Sequence, residues 1–117
     1  MSEATLYYNP RCSKSRGALE LLEARNIDLT IIEYLDAPLD RDALVAVIVA
    51  SDSSPAEFVR TGDQAFKDAG LGLTDNASAE AVADILLQCP PALQRPIFVM
   101  GGKSVIARPP ERALELL

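Results

Sequence analysis

The strongest candidate nucleophiles in this 117-residue chain are its two cysteines, Cys12 and Cys89. The sequence has no histidine, which excludes Ser-His-Asp and Cys-His catalysis and every site built on imidazole ligands. Two cysteines without histidine are also too few for a structural zinc site or a disulfide scaffold. We therefore expect no bound metal, and each cysteine is either a small core residue or a reactive thiol.

Cys12 lies at the junction between a predicted strand and a predicted helix. A short β-prone run at 5–8 stops at Asn9 and Pro10, and an apolar stripe with helical spacing covers about 13–25. The first N–H groups of a helix have no intrahelical partner, and together with the helix dipole they favour a negative charge. The position therefore predicts a stabilised thiolate, and the same N–H groups can hold a phosphate-like oxyanion.

Three basic residues close to Cys12 in the sequence are expected to lower the pKa of its thiol further. They are Arg11, Lys14 and Arg16. The alternative is that Cys12 is an unreactive, partly buried cysteine at a helix start.

The sequence offers no obvious second redox thiol to pair with Cys12. Ser15 stands where a dithiol oxidoreductase carries its second cysteine, so the loop cannot close its own disulfide. Cys89 follows a helical stripe and precedes two prolines, where a core role is favoured over a resolving role. We expect an external thiol to complete the redox cycle.

The remaining patterns predict an α/β fold in one domain, residues 1–117. The predicted strands cover 5–8, 29–35, 97–100 and 104–107. The predicted helices cover 13–25, 40–50, 54–59, 64–69 and 78–88, and a last helix begins at Pro109-Pro110.

The connections between these strands predict a mixed sheet. The first two strands are joined through a helix and should be parallel, whereas Gly101-Gly102 predicts an antiparallel hairpin of the last two. The nearly continuous apolar run at 29–35 predicts a second strand that is buried on both faces. The expected fold is a thioredoxin-like mixed four-stranded sheet, with a helical insertion at about 40–91 between the second strand and the C-terminal hairpin.

The acidic charge limits the partners that the chain can have. Its net charge is −6 and its pI is about 4.5, the wrong sign for attraction to phosphate backbones, so no nucleic-acid partner is expected. No apolar run approaches the roughly 20 residues that cross a bilayer, and no signal-peptide pattern opens the chain. We expect a cytoplasmic monomer with no membrane partner.

Several separated motifs share one family resemblance. They are Tyr7-Tyr8-Asn9-Pro10-Arg11-Cys12-Ser13-Lys14-Ser15-Arg16, Arg95-Pro96-Ile97, the strand at 32–35, the helix that ends in Arg60, and Arg108-Pro109-Pro110-Glu111. Together they run nearly end to end and resemble the glutaredoxin-coupled arsenate reductase family, called ArsC, of thioredoxin-like fold. The chain looks closest to the short members of that family, which stop soon after the last motif.

The resemblance implies a reaction and a set of site residues. Cys12 would attack arsenate, while Arg60, Arg95 and Arg108 would hold the oxyanion and the arsenite-level adduct. Glutathione as co-substrate and glutaredoxin as partner would release arsenite, with no bound cofactor. The supporting loop would comprise Tyr8, Asn9, Arg11, Ser13, Lys14, Ser15 and Arg16. A cis peptide bond is implied before Pro96.

The three arginines also have a plain alternative. The planar fork of arginine matches a tetrahedral oxyanion and keeps its charge, which suits the implied role. Arginines are mostly exposed, however, so each one taken singly could equally be a solvated surface residue.

Tyr8 departs from the family pattern. Arsenate-active members commonly carry a histidine at this position, which is thought to help keep the cysteine ionised. Tyrosine is neutral at pH 7 and can offer the thiolate a hydrogen bond but no positive charge, so the Cys12 thiolate must depend on the helix terminus and nearby arginines. Tyr8 is alternatively an aromatic core residue of the first strand.

Two other functions fit parts of the same pattern. A thiol of low pKa at a helix start also suits general glutathione-linked thiol exchange. The same fold resembles the Spx regulators, which dock on RNA polymerase and sense redox state through a C-x-x-C pair. This chain has C-x-x-S in its place, which disfavours that function.

Overall fold

The computed structural model describes residues 4–36, 40–74 and 76–117. The strands are β1 (Ala4–Tyr7), β2 (Leu29–Ile32), β3 (Ile97–Met100) and β4 (Lys103–Ile106). The α-helices are α1 (Ser13–Ala24), α2 (Arg41–Val49), α3 (Gln64–Ala69) and α4 (Ala79–Gln88). Three further segments are 3₁₀-helices, at Pro55–Phe58, Pro90–Ala92 and Pro110–Leu116. The bounds of most predicted elements lie within one residue of these.

The four strands form one mixed sheet in the order β2-β1-β3-β4. The β1–β2 pair is parallel and the β3–β4 pair is antiparallel, which confirms the predicted mixed sheet. The strand order and the antiparallel β1–β3 pair were not predicted from the sequence. Gly101 and Gly102 join β3 to β4 with φ values of +62° and +76°. Two consecutive positive φ values are the requirement of a tight hairpin turn, and glycine meets it without strain.

The prediction that the second strand is buried on both faces is wrong. β2 is an edge strand that ends at Ile32, and Ile31 within it is 42% exposed. An apolar, β-prone run favours a strand, but it does not state how many neighbours the strand has or what covers its faces. The apolar residues of 29–35 that follow β2 differ in burial, since Tyr34 is buried whereas Leu35 is exposed.

The ends of the helices follow the capping signals of the sequence. The Asp40 carboxylate accepts a hydrogen bond from the Ala43 N–H (3.0 Å), and the Ser78 hydroxyl accepts one from the Ala81 N–H (3.1 Å). Gly70 ends α3 in the left-handed conformation, with φ of +67°.

The sheet is covered on both faces, and alternate residues of each strand enter different cores. One core lies under α2 and α4, and the other lies under α1 and the last 3₁₀-helix. The first core contains Tyr7, Tyr34, Leu44, Phe58, Val82, Leu86, Leu93 and Ile97. The second contains Leu6, Ala18, Leu22, Phe98, Val105 and Ala113. Cys89 is a buried member of the first core, in agreement with its predicted core role.

Two valines on helices test how far the core around α4 determines stability. Val82 on α4 is fully buried, and Val49 on α2 is 69% exposed. Val82→Ala should lower the free energy of unfolding by about 2 kcal/mol, because it removes buried methyl groups and leaves a cavity. The matched variant Val49→Ala should change it by less than about 0.5 kcal/mol. Urea unfolding measures both, and equal losses would contradict the assignment of this core.

Candidate functional site

Cys12 is the N-cap residue of α1, and the loop before it is held by local hydrogen bonds. The Cys12 N–H donates to the Asn9 carbonyl (3.0 Å), and the Arg11 N–H donates to the Asn9 side-chain oxygen (3.0 Å). The Asn9 N–H donates in turn to the hydroxyl of Ser15, which is fully buried (3.3 Å). Because Asn9 is bonded through its backbone and its side chain, the loop presents the half-buried Cys12 in one orientation at the start of the helix.

The surroundings of Cys12 favour its thiolate. Burial raises the pKa of Cys12, but the backbone N–H groups of Ser15 and Lys14, the Arg95 guanidinium and the Ser15 hydroxyl lower it to about 7. An ordinary cysteine thiol has a pKa near 8.5, so a large fraction of Cys12 is ionised at neutral pH. The lowering of the Cys12 pKa by helix N–H groups agrees with the prediction that this cysteine lies at the start of a helix.

The side-chain charges expected to lower the pKa of Cys12 are not among the groups that do so, and Lys14 contributes only through its backbone N–H. Arg11, Lys14 and Arg16 all have exposed side chains, and the Arg16 guanidinium donates to the Pro10 carbonyl (2.9 Å). Solvent screens exposed charges, so closeness in sequence does not produce a strong interaction. The cation that acts on the thiol is Arg95, which is remote in sequence.

Tyr8 is half-buried and packs against the core under α1, which supports its reading as an aromatic residue of that core. Ser13 is exposed at the first position of α1. Neither side chain is among the groups that set the pKa of Cys12.

Hydrogen bonds between separate segments bring the three candidate arginines to one end of the molecule. The Arg60 N–H donates to the Ala92 carbonyl (2.6 Å), and the Gln94 N–H donates to the Phe58 carbonyl (2.8 Å). The Arg108 guanidinium donates to the Arg95 carbonyl (2.9 Å). The segments that carry Arg60, Arg95 and Arg108 are therefore linked to one another.

Arg60 lies outside the helix that was expected to end at it. The 3₁₀-helix ends at Phe58, and Val59 forms an isolated antiparallel bridge with Leu93. This bridge places Arg60 beside the segment that leads to Arg95. The peptide bonds before Pro96 and Pro109 are both cis, and only the first of these was expected from the sequence.

An open cleft of about 400 Å³ lies beside these segments. Both Arg60 and Arg108 line it, together with Gln94 and Asp63. The Arg60 guanidinium contacts the Asp63 carboxylate at 3.5 Å, and both side chains are partly exposed. Cys12 and Arg95 do not line this cleft. Arg95 therefore acts on the thiol, whereas Arg60 and Arg108 face the cleft.

Tyr34 belongs to the same neighbourhood, although the sequence indicated only a strand residue. Burial raises the pKa of Tyr34, the guanidinium groups of Arg95 and Arg60 lower it, and the negative charge of Cys12 raises it. The phenol is thus close to the nucleophile and to two of the three arginines. The available signal was a tyrosine within an apolar run, at the carboxyl end of a strand parallel to β1.

The arrangement combines a thiolate, helix N–H groups and guanidinium groups at one edge of the sheet. Such a site can attack an electrophile that itself carries negative charge, because the cations and amides offset the repulsion.

Among the helices of the described ranges, none is long and apolar enough to cross a bilayer.

Comparison with known proteins gives consistent matches over nearly the whole chain. The model of the ArsC family matches residues 7–116. The chain is 38% identical to an arsenate reductase of Neisseria meningitidis serogroup B, over 95% of both proteins, and 35% identical to the uncharacterized protein YfgD of Escherichia coli K12, over 98% of this chain and 97% of YfgD. The solved structure of an arsenate reductase from Vibrio cholerae superposes with a TM-score of 0.87 at 31% identity, covering 98% of each chain.

The pKa of Cys12 predicts the pH dependence of its reactivity. Because the thiolate is the nucleophile, the rate of alkylation by iodoacetamide should rise with pH around a midpoint of about 7. Arg95→Ala removes a cation that favours the thiolate, so the midpoint should move to higher pH. Alkylation followed by mass spectrometry assigns the reaction to Cys12, and the buried Cys89 should react far more slowly. A wild-type midpoint near 8.5 would contradict the electrostatics described above.

Proposed function

The chain belongs to the ArsC family, and from that premise we propose that it is an oxidoreductase that reduces arsenate to arsenite with Cys12 as the nucleophile. The observation that carries the proposal is the thiol of Cys12 at the start of α1, with a pKa lowered to about 7 by helix N–H groups and by Arg95. The relatives named arsenate reductase, at 38% identity over nearly the full length, support the choice of oxyanion.

Arsenate fits the chemistry of the candidate site. It is a tetrahedral anion with several acceptor oxygens, and the site offers the N–H groups of Lys14 and Ser15 and the guanidinium of Arg95. We propose that Arg60 and Arg108 complete the binding of the oxyanion from the cleft that they line. The contact between Arg60 and Asp63 is long and partly exposed, so exchanging it for a bound anion costs little.

The proposed reaction follows a monothiol course in four steps. The Cys12 thiolate forms a sulfur–arsenic bond, and one arsenate oxygen leaves as water after protonation. The thiol of glutathione then bonds to the arsenic, and a second arsenate oxygen leaves as water. The thiolate of glutaredoxin attacks the glutathione sulfur, so that the arsenic accepts two electrons and a glutathione–glutaredoxin disulfide leaves. Hydrolysis of the remaining sulfur–arsenic bond releases arsenite and restores Cys12. In total, one arsenate dianion, two external thiols and two protons give arsenous acid, one disulfide and one water.

External thiols are proposed because the described residues offer no partner for Cys12 within its loop. Ser15 is at the position of a second thiol, and its buried hydroxyl accepts a hydrogen bond from Asn9. Cys89 is buried in the core. The proposal therefore includes glutathione as co-substrate and glutaredoxin as partner. It describes a monomeric cytoplasmic enzyme with no bound cofactor.

The role of Cys12 is tested by substitution of each cysteine. Cys12→Ser should abolish arsenite formation in the presence of glutathione and glutaredoxin, because a serine hydroxyl stays protonated at pH 7. Cys89→Ala should retain most of the activity. Turnover that survives Cys12→Ser would refute the mechanism. A wild-type protein that reduces glutathione mixed disulfides but not arsenate would instead establish general thiol exchange.

The role of Arg60 is tested with an arginine at the opposite end of α1 as control. Arg60→Ala should raise the KM for arsenate about 10- to 100-fold, the effect of losing a charge-assisted hydrogen bond of about 1.5–3 kcal/mol. Arg25 is exposed at the C-terminal end of α1, and Arg25→Ala should leave the KM unchanged. Steady-state kinetics distinguish the two variants, and equal KM values would remove Arg60 from the binding site.

A further inference from the structure

Two buried side-chain nitrogen and oxygen atoms lack a hydrogen-bond partner within the described part of the chain. They are the hydroxyl of Tyr34 and the Nε atom of Arg95. Tyr34 is only 1% exposed. The great majority of buried polar groups in native structures are paired, and an unpaired one calls for an explanation, such as a catalytic role or a bound water or ion.

The fold places Tyr34 at the edge of the sheet where Cys12 lies. Ile32 is opposite Tyr7 in the parallel β1–β2 pair, and the Tyr8 N–H donates to the Ile32 carbonyl (2.9 Å). Parallel strands end at the same edge of a sheet, so Tyr34 and the loop that leads to Cys12 leave the sheet side by side. Tyr34 also belongs to the buried core that contains Leu93, which lies two residues before Arg95.

The charges around Tyr34 agree with this placement. The largest influence on its pKa is burial, which raises it, and the Arg95 guanidinium, the Cys12 thiolate and the Arg60 guanidinium follow. Arg95 also lowers this pKa through its closeness to the phenol oxygen, although the two side chains do not meet with the geometry of a hydrogen bond. Because the net direction is upward from an ordinary value near 10, the phenol keeps its proton at neutral pH. Tyr34 therefore carries a hydrogen-bond donor beside the nucleophile, and Arg95 carries a second donor without a partner.

We propose that Tyr34 is a substrate-binding residue, whose O–H donates a hydrogen bond to an oxygen of the oxyanion held beside Cys12 while the Arg95 Nε–H donates to the same anion. Two unpaired donors near the thiolate suit a ligand rich in acceptors, and a tetrahedral oxyanion presents acceptor oxygens in several directions. The inference rests on the proposed function and adds to it a residue that selects the substrate by its oxygens.

The variant Tyr34→Phe removes only the hydroxyl. Its melting temperature should equal or exceed that of the wild type, because a buried donor without a partner is lost. Its KM for arsenate should rise about tenfold, which corresponds to about 1.4 kcal/mol. The concentrations of arsenate and of phosphate that half-protect Cys12 from iodoacetamide should rise by a similar factor, and the pH midpoint of alkylation should stay near 7.

Tyr7→Phe is the matched control, since Tyr7 is a buried tyrosine of the adjacent strand β1. Burial and the charge of Asp40 raise the pKa of Tyr7, and the site arginines are not among the causes. This variant should bind arsenate and phosphate as the wild type does.

The outcomes separate the inference from the proposed function. If the wild type reduces arsenate and Tyr34→Phe keeps the wild-type KM and protection, Tyr34 does not contact the substrate and the inference is overturned. A large loss of stability in Tyr34→Phe, with unchanged binding, would show a structural hydroxyl and would also overturn it. A wild type that neither reduces arsenate nor is protected by either oxyanion refutes the proposed function and the role of Tyr34 with it.

Discussion

The interaction on which this molecule depends is the electrostatic one between the Cys12 thiolate and the N–H groups of Lys14 and Ser15 in the first turn of α1, which lower the thiol pKa although the side chain makes no capping hydrogen bond. Burial opposes the thiolate, and these amides, with Arg95, outweigh burial and lower the pKa to about 7. The amides can act only if the sulfur stays at the helix start. Asn9 ensures this, because its bonds to the backbone of Arg11 and Cys12 and to Ser15 hold the loop.

Collecting three guanidinium groups at one end of a small protein is electrostatically unfavourable, and the structure offsets this in part. The Arg95 guanidinium donates to the Pro91 carbonyl, the Arg108 guanidinium donates to the Arg95 carbonyl, and Arg60 lies near the Asp63 carboxylate. These partners are carbonyls or a weakly held carboxylate. The positive potential that remains, in a chain whose net charge is −6, favours the binding of a small anion at this end.

The sequence patterns predicted the elements well because their signals are local. The hairpin at Gly101-Gly102, the cap at Asp40 and the position of Cys12 before α1 each depend on a few adjacent residues. Predictions that required distances between remote segments were weaker. The run at 29–35 was expected to be buried on both faces, yet β2 lies at the edge of the sheet, because strand order is decided by pairing partners elsewhere in the chain.

By itself, the sequence determined that the candidate nucleophile is a thiol at a helix start, because composition alone shows that histidine is absent and the Asn9-Pro10 stop before the helix is a local signal. Only the tertiary structure decided which cation acts on that thiol. Arg11, Lys14 and Arg16 are adjacent in sequence but exposed, whereas Arg95 reaches Cys12 because β1 and β3 pair in the sheet. Charge interactions depend on distance through space and on exclusion of water, and sequence separation measures neither.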